Sequence, residues 1–271
     1  MYDRRARHVL AIKEITMFEE LHGKRVLVTG ASTGIGAAVA QRFGALGAHV
    51  VVHYNASEAP ARQVAEAIER DGGKAFTLQQ DVSTAEGAVA VVDRAVAQLG
   101  GLDILINNAG DMLGRVPAGD IEAEHYARVM DLNVRSVTLA TRAAIAHFRR
   151  QGEGGKIINT TSVAARNGGG PGASLYASAK AFVSSFTRGM AKELAADNIR
   201  VNAVAPGVIV TPFHDRHSSD AQLEAMRGGI PMGRLGTPEE CVGAFLFLAT
   251  DALSDYVTGQ IVEVNGGQLM P

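Results

Sequence analysis

The chain contains one cysteine, Cys241, no tryptophan, and only 5% aromatic residues. A single thiol excludes an intrachain disulfide and suits a reducing compartment, so the fold must be held by burial. An excess of charge is missing too: 26 Lys and Arg stand against 28 Asp and Glu, a formal net charge of −2. That balance provides no field to draw nucleic acid, and the one basic cluster, around Arg5 and Arg7, is short. No apolar run reaches the roughly 20 residues of a membrane span. The first residues begin basic, but Lys13 and Glu14 interrupt the apolar part, so the h-region of a secretory signal is missing. Residues 1–21 therefore read as an N-terminal extension outside the core, with Met17 as a candidate natural start. A cytoplasmic location is expected.

What is present is apolar residue in quantity, 46%, and 31 glycines. Residues 25–29 (Arg-Val-Leu-Val-Thr) form a short β-branched run of the kind found in buried parallel strands. Gly30, Gly34 and Gly36 then mark a turn, and residues 35–46 have the small, apolar pattern of a helix. Strand, glycine turn and helix together aim backbone N–H groups at a phosphate. The spacing is GxxxGxG rather than the commoner GxGxxG. From there strand-like and helix-like runs alternate, with further strands expected at 49–54, 74–79, 103–107, 156–161, 200–205 and 261–264. Helices are expected at 59–70, 84–99, 124–150, 174–197 and 238–250. Such alternation argues for a parallel sheet covered by helices on both faces. No repeat or linker divides the chain, so residues 22–271 read as one domain. Residues 207–236, rich in proline and glycine with a weak helical pattern near 221–226, are expected to form a lid beside the carboxyl ends of the strands.

Tyr176 and Lys180 stand four apart in a helical run, so phenol and ammonium share a face, and the small Ala177, Ser178 and Ala179 leave room beside them. Ser162 ends the fifth strand, and the glycine-rich stretch that follows can bring it to the start of that helix. Asn133 is a polar amide inside an otherwise helical run; taken alone it reads as a solvent-facing residue, as Ser162 alone reads as a turn cap. His214 and His217 invite a metal reading, but no third ligand stands at supporting spacing, and no metal is expected.

In this order Thr29-Gly30-x-x-x-Gly34-Ile35-Gly36, Asp81-Val82, Asn107-Asn108-Ala109-Gly110, Asn133, Ser162, Tyr176-x-x-x-Lys180, Pro206-Gly207 and Val257-Thr258-Gly259 resemble the short-chain dehydrogenase/reductase family over residues 22–268. The resemblance implies a Rossmann-type doubly wound seven-stranded parallel sheet in three α/β/α layers. It implies a nicotinamide-dependent oxidoreductase acting on a small-molecule carbonyl or secondary alcohol. Tyr176 would exchange the proton, Ser162 would hold the substrate oxygen, and Asn133 would hold a water linking Lys180 to solvent. Lys180 would also hold the nicotinamide ribose. A cation about 4 Å away at an effective dielectric near 20 is worth roughly 4 kcal/mol, or about three units, so Lys180 is expected to bring Tyr176 near 7. Gly30, Ser32, Thr33, Gly34, Ile35 and Gly36 would meet the pyrophosphate side. Asp81 and Val82 would meet the adenine, Asn108, Ala109 and Gly110 its ribose, and Pro206, Gly207, Val208 and Thr211 the nicotinamide end.

The second strand leads into Tyr54-Asn55-Ala56-Ser57 with no acid before Glu58, which favours NADP over NAD, although neither Thr33, Asn55 nor Ser57 brings a charge. The chain looks most like 3-oxoacyl-[acyl-carrier-protein] reductases, with acyl carrier protein a possible partner of Arg149, Arg150 and Lys192. Longer segments at 151–155 and 162–176 leave a sugar or polyol dehydrogenase as the alternative, and a non-catalytic cofactor-binding sensor as the alternative of another class. The 174–197 helix is apolar nearly all round, and the family resemblance implies a homotetramer.

Overall fold

Side-chain alternation along the strands determines the layers. The computed structural model describes residues 17–270. In β1 (Arg25–Val28), Val26 and Val28 enter one core and Leu27 the other, all fully buried. The remaining strands are β2 (His49–Tyr54), β3 (Lys74–Gln79), β4 (Ile104–Asn107), β5 (Gly155–Thr160), β6 (Ile199–Pro206) and β7 (Ile261–Val264). They form one sheet in the order β3-β2-β1-β4-β5-β6-β7, with every neighbouring pair parallel. Val26 faces Val50 on one side and Ile104 on the other.

The helices are α1 (Gly34–Ala45), α2 (Glu58–Arg70), α3 (Ala85–Leu99), α4 (Ala123–Met130), α5 (Ser136–Gln151), α6 (Ala164–Asn167), α7 (Ser174–Leu194), α8 (Pro212–His217), α9 (Asp220–Gly228), α10 (Pro238–Ala249) and α11 (Asp251–Ser254). α1, α2 and α10 cover the Val26 face through Phe43, Ile68 and Phe245. α3, α5 and α7 cover the Leu27 face through Val91, Phe148 and Leu194. This is the expected doubly wound three-layer arrangement, with β1 and β4 adjacent where the chain order reverses. The crevice at their carboxyl ends is the ligand position of such sheets. No helix among the described residues is long and apolar enough to cross a membrane.

Three expectations change. The 124–150 helix is two helices joined by a π turn, Asp131–Arg135, which turns Asn133 into the interior at 0% exposure. A single inserted residue re-aims side chains without ending the helix. The 207–236 segment holds two helices rather than one weak one: Pro212 starts α8, and Ser219 with Gln222 forms a capping box for α9. Finally, the packed domain begins before residue 22. Leu21 is 1% exposed in the core, Phe18 packs against it, and the Glu20 carboxylate accepts the N–H groups of Asp251 and Ala252 at the start of α11. Residues 1–16 of the expected extension lie outside the described residues.

Candidate active site

The β1–α1 turn is built by hydrogen bonds from outside it. Thr29 Oγ1 accepts from the backbone N–H of Asn108 at 2.9 Å and of Ala109 at 3.0 Å. The Asn108 side chain donates to Thr29 O and Gly30 O, both at 3.0 Å. Gly30 and Gly34 have φ of +63° and +57°, where a side chain is strained. A Cβ on Gly30 would also lie 2.9 Å from Ala109 Cα. Thr33 at the N-cap gives α1 no side-chain cap, so its first N–H groups face the cleft, as an anion site requires. Gly36 does not line the cleft. Its Cβ would fall 2.3 Å from Gly30 O, so the glycine is needed for packing behind the turn.

His53 is a member of this assembly that carried no signal of its own in the sequence. It is 1% exposed, its Nδ1 accepts from Gly30 N–H at 3.0 Å, and its Nε2 lies 2.8 Å from Gln80 O. A donor on one side and an acceptor on the other fix the neutral Nε2–H tautomer. Burial pushes its pKa down to about 4.

At the far end, Lys180 is 3% exposed and its Nζ donates to Thr160 O at 3.0 Å. Asn133 Nδ2 donates to Asp111 O at 2.8 Å and Val129 O at 2.9 Å, while its buried Oδ1 has no partner among the described residues. A Cβ on Gly110 would lie 2.7 Å from that Oδ1 and 2.9 Å from Lys180 Nζ, so the glycine opens one small space that both groups enter. Ser162 Oγ lies beside the Tyr176 phenol and accepts from Ala164 N–H at 3.1 Å. The expected descent of Tyr176 to near 7 is not what this geometry produces. Burial pushes the phenol above its ordinary value, the neighbouring Ser162 hydroxyl opposes this, and the Asp111 charge adds to it. Lys180 Nζ sits 5.7 Å from the phenol ring centroid and is itself pushed down to about 8 by burial.

α8 lies over this end. Phe213 meets the Tyr176 ring at 5.6 Å between centroids. The Asp111 carboxylate accepts from His217 Nε2 at 2.5 Å and from Arg216 at 2.7 Å. Burial works to raise the Asp111 pKa, but bonds from Leu113 N–H, Arg216 and His217 outweigh it and hold the group low. His214 Nδ1 bonds Ser218 Oγ at 3.0 Å, so neither histidine of the metal reading points to a shared ligand site.

Gly30, Ser32, Thr33, Gly34, Ile35, Tyr54, Asn55, Ser57, Asp81, Val82, Asn108, Ala109, Gly110, Ser162, Tyr176, Lys180, Pro206, Gly207, Val208 and Thr211 line one cleft of about 670 Å³. Asn133 stands one layer behind it. An uncapped helix start after a turn with glycines at positive φ, and a buried ammonium at the opposite end of one cleft, fit a nicotinamide dinucleotide. The fold and this site define a Rossmann-type NAD(P)-dependent oxidoreductase. A family model described as enoyl-(acyl carrier protein) reductase matches residues 30–268. The chain is 42% identical to 3β-hydroxysteroid dehydrogenase 1 of Eggerthella lenta, covering 94% of this chain and 97% of that one. It is 40% identical to a 3-oxoacyl-[acyl-carrier-protein] reductase of Synechocystis, over 90% of this chain and 96% of the other. The crystal structure of NADH-dependent reductase A1-R' complexed with NAD superposes with a TM-score of 0.83 at 38% identity, covering 94% of this chain and 100% of that one. The chain belongs to the short-chain dehydrogenase/reductase family.

Proposed function

We propose that the protein interconverts a polar secondary alcohol and its carbonyl with Tyr176 as the proton-transferring residue, Ser162 as the oxygen-binding group and NADP as the favoured cofactor. The observation that carries this is the convergence of Ser162, Tyr176 and Lys180 at one end of the cleft, with the Asn133 Oδ1 behind them. When bound, the cofactor supplies or accepts the hydride. Ser162 Oγ polarises the substrate oxygen as charge develops on it. Tyr176 gives its proton to that oxygen in reduction and takes it in oxidation. Lys180 Nζ and the unpartnered Asn133 Oδ1 facing the Gly110 space support a reading in which a bridging water returns the proton. Gly30 to Ile35 would hold the pyrophosphate, and Lys180 the nicotinamide ribose.

The absence of a carboxylate at residues 54–57 supports NADP, and Glu58 is turned away into a 2.7 Å pair with Arg62. Measured kcat/KM should favour NADPH; a tenfold preference for NADH overturns this. A 3-oxoacyl-thioester substrate is the second reading, supported by the Synechocystis relative. The residues expected to dock a carrier protein argue less for it: Arg149 pairs with Asp197 at 2.7 Å and Arg150 lies 2.8 Å from His147. NADPH oxidation and NADP reduction screened over sugars, polyols, secondary alcohols and 3-oxoacyl thioesters separate the two. Tyr176→Phe should lower turnover about 10²- to 10⁴-fold while cofactor binding persists. Turnover that survives the substitution removes Tyr176 from its role, and a wild type that binds cofactor but turns over nothing supports the sensor alternative.

A further inference from the structure

Basic side chains gather at the substrate end of the cleft. Arg115, Lys180 and Arg216 line it there, whereas the one carboxylate-bearing wall residue among the described residues, Asp81, belongs to the adenine end and accepts from Ser83 N–H and Oγ. Arg216 is matched by Asp111 and lies on the α8 side. Arg115 is not matched. Its Nε donates to His217 O at 2.6 Å and its Nη1 to Pro171 O at 2.9 Å, both neutral carbonyls. Among the described residues no carboxylate lies within ion-pair distance of it, and its Nη2 makes no hydrogen bond.

The chain is shaped to hold this side chain there. Gly172 has φ of +73°, and a Cβ on it would lie 2.9 Å from Arg115 Cβ. Val116 N–H donates to Gly172 O at 3.0 Å, locking the 115–116 backbone to the glycine loop. A guanidinium pinned through two nitrogens is a preorganised fork, and a planar carboxylate is the group that such a fork matches best. Resting on the oxidoreductase reading above, we propose that the substrate carries a carboxylate and that Arg115 binds it, making the protein a dehydrogenase of hydroxy or oxo acids. Reaction is unchanged at the alcohol carbon; the carboxylate is a handle that orients the substrate and takes no part in the hydride step.

The test compares matched acids and neutral counterparts: D-gluconate with D-glucose and sorbitol, and 3-hydroxybutyrate with its methyl ester. Wild-type kcat/KM should favour the acid in a turned-over pair, and Arg115→Met should cut the acid-to-neutral ratio by about 10- to 100-fold through KM, with Arg115→Lys restoring part of it. A wild type that prefers the neutral partner overturns the proposal. So does a methionine variant that lowers both members equally, because that marks a purely structural role in holding the glycine loop. Calorimetric titration of the NADP-loaded protein with gluconate provides a readout independent of turnover. Gluconate binding that Arg115→Met abolishes, without turnover of any compound, keeps the carboxylate site and removes the oxidoreductase reading. Turnover of neutral compounds with no gluconate binding does the reverse.

Discussion

His53 links three separate strand ends with one ring: it belongs to β2, accepts from the turn after β1 and donates to the residue after β3. Burial, which penalises the imidazolium, holds its pKa near 4 rather than the ordinary 6.5, and protonation would also force a second N–H against the Gly30 donor. A depressed folded pKa means the unfolded chain binds the extra proton first. Stability from this group is therefore complete above about pH 6.5 and lost as pH falls through 4, roughly 3 kcal/mol in all. His53→Asn keeps one acceptor and one donor but removes the titration. Urea midpoints between pH 7 and 4.5 should fall less for the variant than for the wild type, and equal slopes would refute the assignment. Legibility at this scale divides by distance along the chain. Tyr176 and Lys180 were readable because four residues of helix suffice to align them. His53 and Arg115 were not, because their partners lie at Gly30, Gln80, Pro171 and His217, and only the fold brings those together.

At the scale of elements, strands β2, β3 and β7 were legible to the residue, since a short partly apolar run bounded by turn signals carries its own limits. The Asp131–Arg135 turn was not, because a π turn keeps helical dihedrals, so the helical pattern passes through it. α8 was missed for a different reason: it has six residues and no buried face, and it is held by side chains from outside it. Its hold is the Asp111 carboxylate, which receives both Arg216 and His217. Asp111→Asn removes the charge and one acceptor oxygen while leaving the backbone intact. Limited proteolysis should then cut faster between residues 212 and 228, and substrate KM should rise several-fold more than cofactor KM. Because Asp111 also works to raise the pKa values of Tyr176 and Lys180, the acid limb of the pH–rate profile should move to lower pH. Unchanged nicking with unchanged KM would mean that α8 is a fixed wall and not a lid.

For the whole molecule, the apolar inventory exceeds what one chain covers. α7 buries Val183, Thr187, Ala191 and Leu194 inward, yet Phe182 on another face is 40% exposed and stacks on Phe186 at 5.7 Å between centroids. A helix apolar on two faces is stable in water when a second surface covers the outer one, and a two-fold axis lets the same helix of another copy do so. Ahead of the edge strand β7 Tyr256 is fully exposed, and beyond it Met270 is 78% exposed. Self-complementary contacts at α7 and at the β7 edge would supply two two-fold axes, and two such axes close as a tetramer with no surface left to propagate. Light scattering should therefore give four times the chain mass. Phe182→Asp places a charge at the α7 contact alone and should halve the assembly without unfolding the chain, since that side chain is outside both cores. A wild type that scatters as a monomer would leave Phe182 and Phe186 as ordinary exposed apolar residues. A tetramer that survives Phe182→Asp would move the first axis to another face.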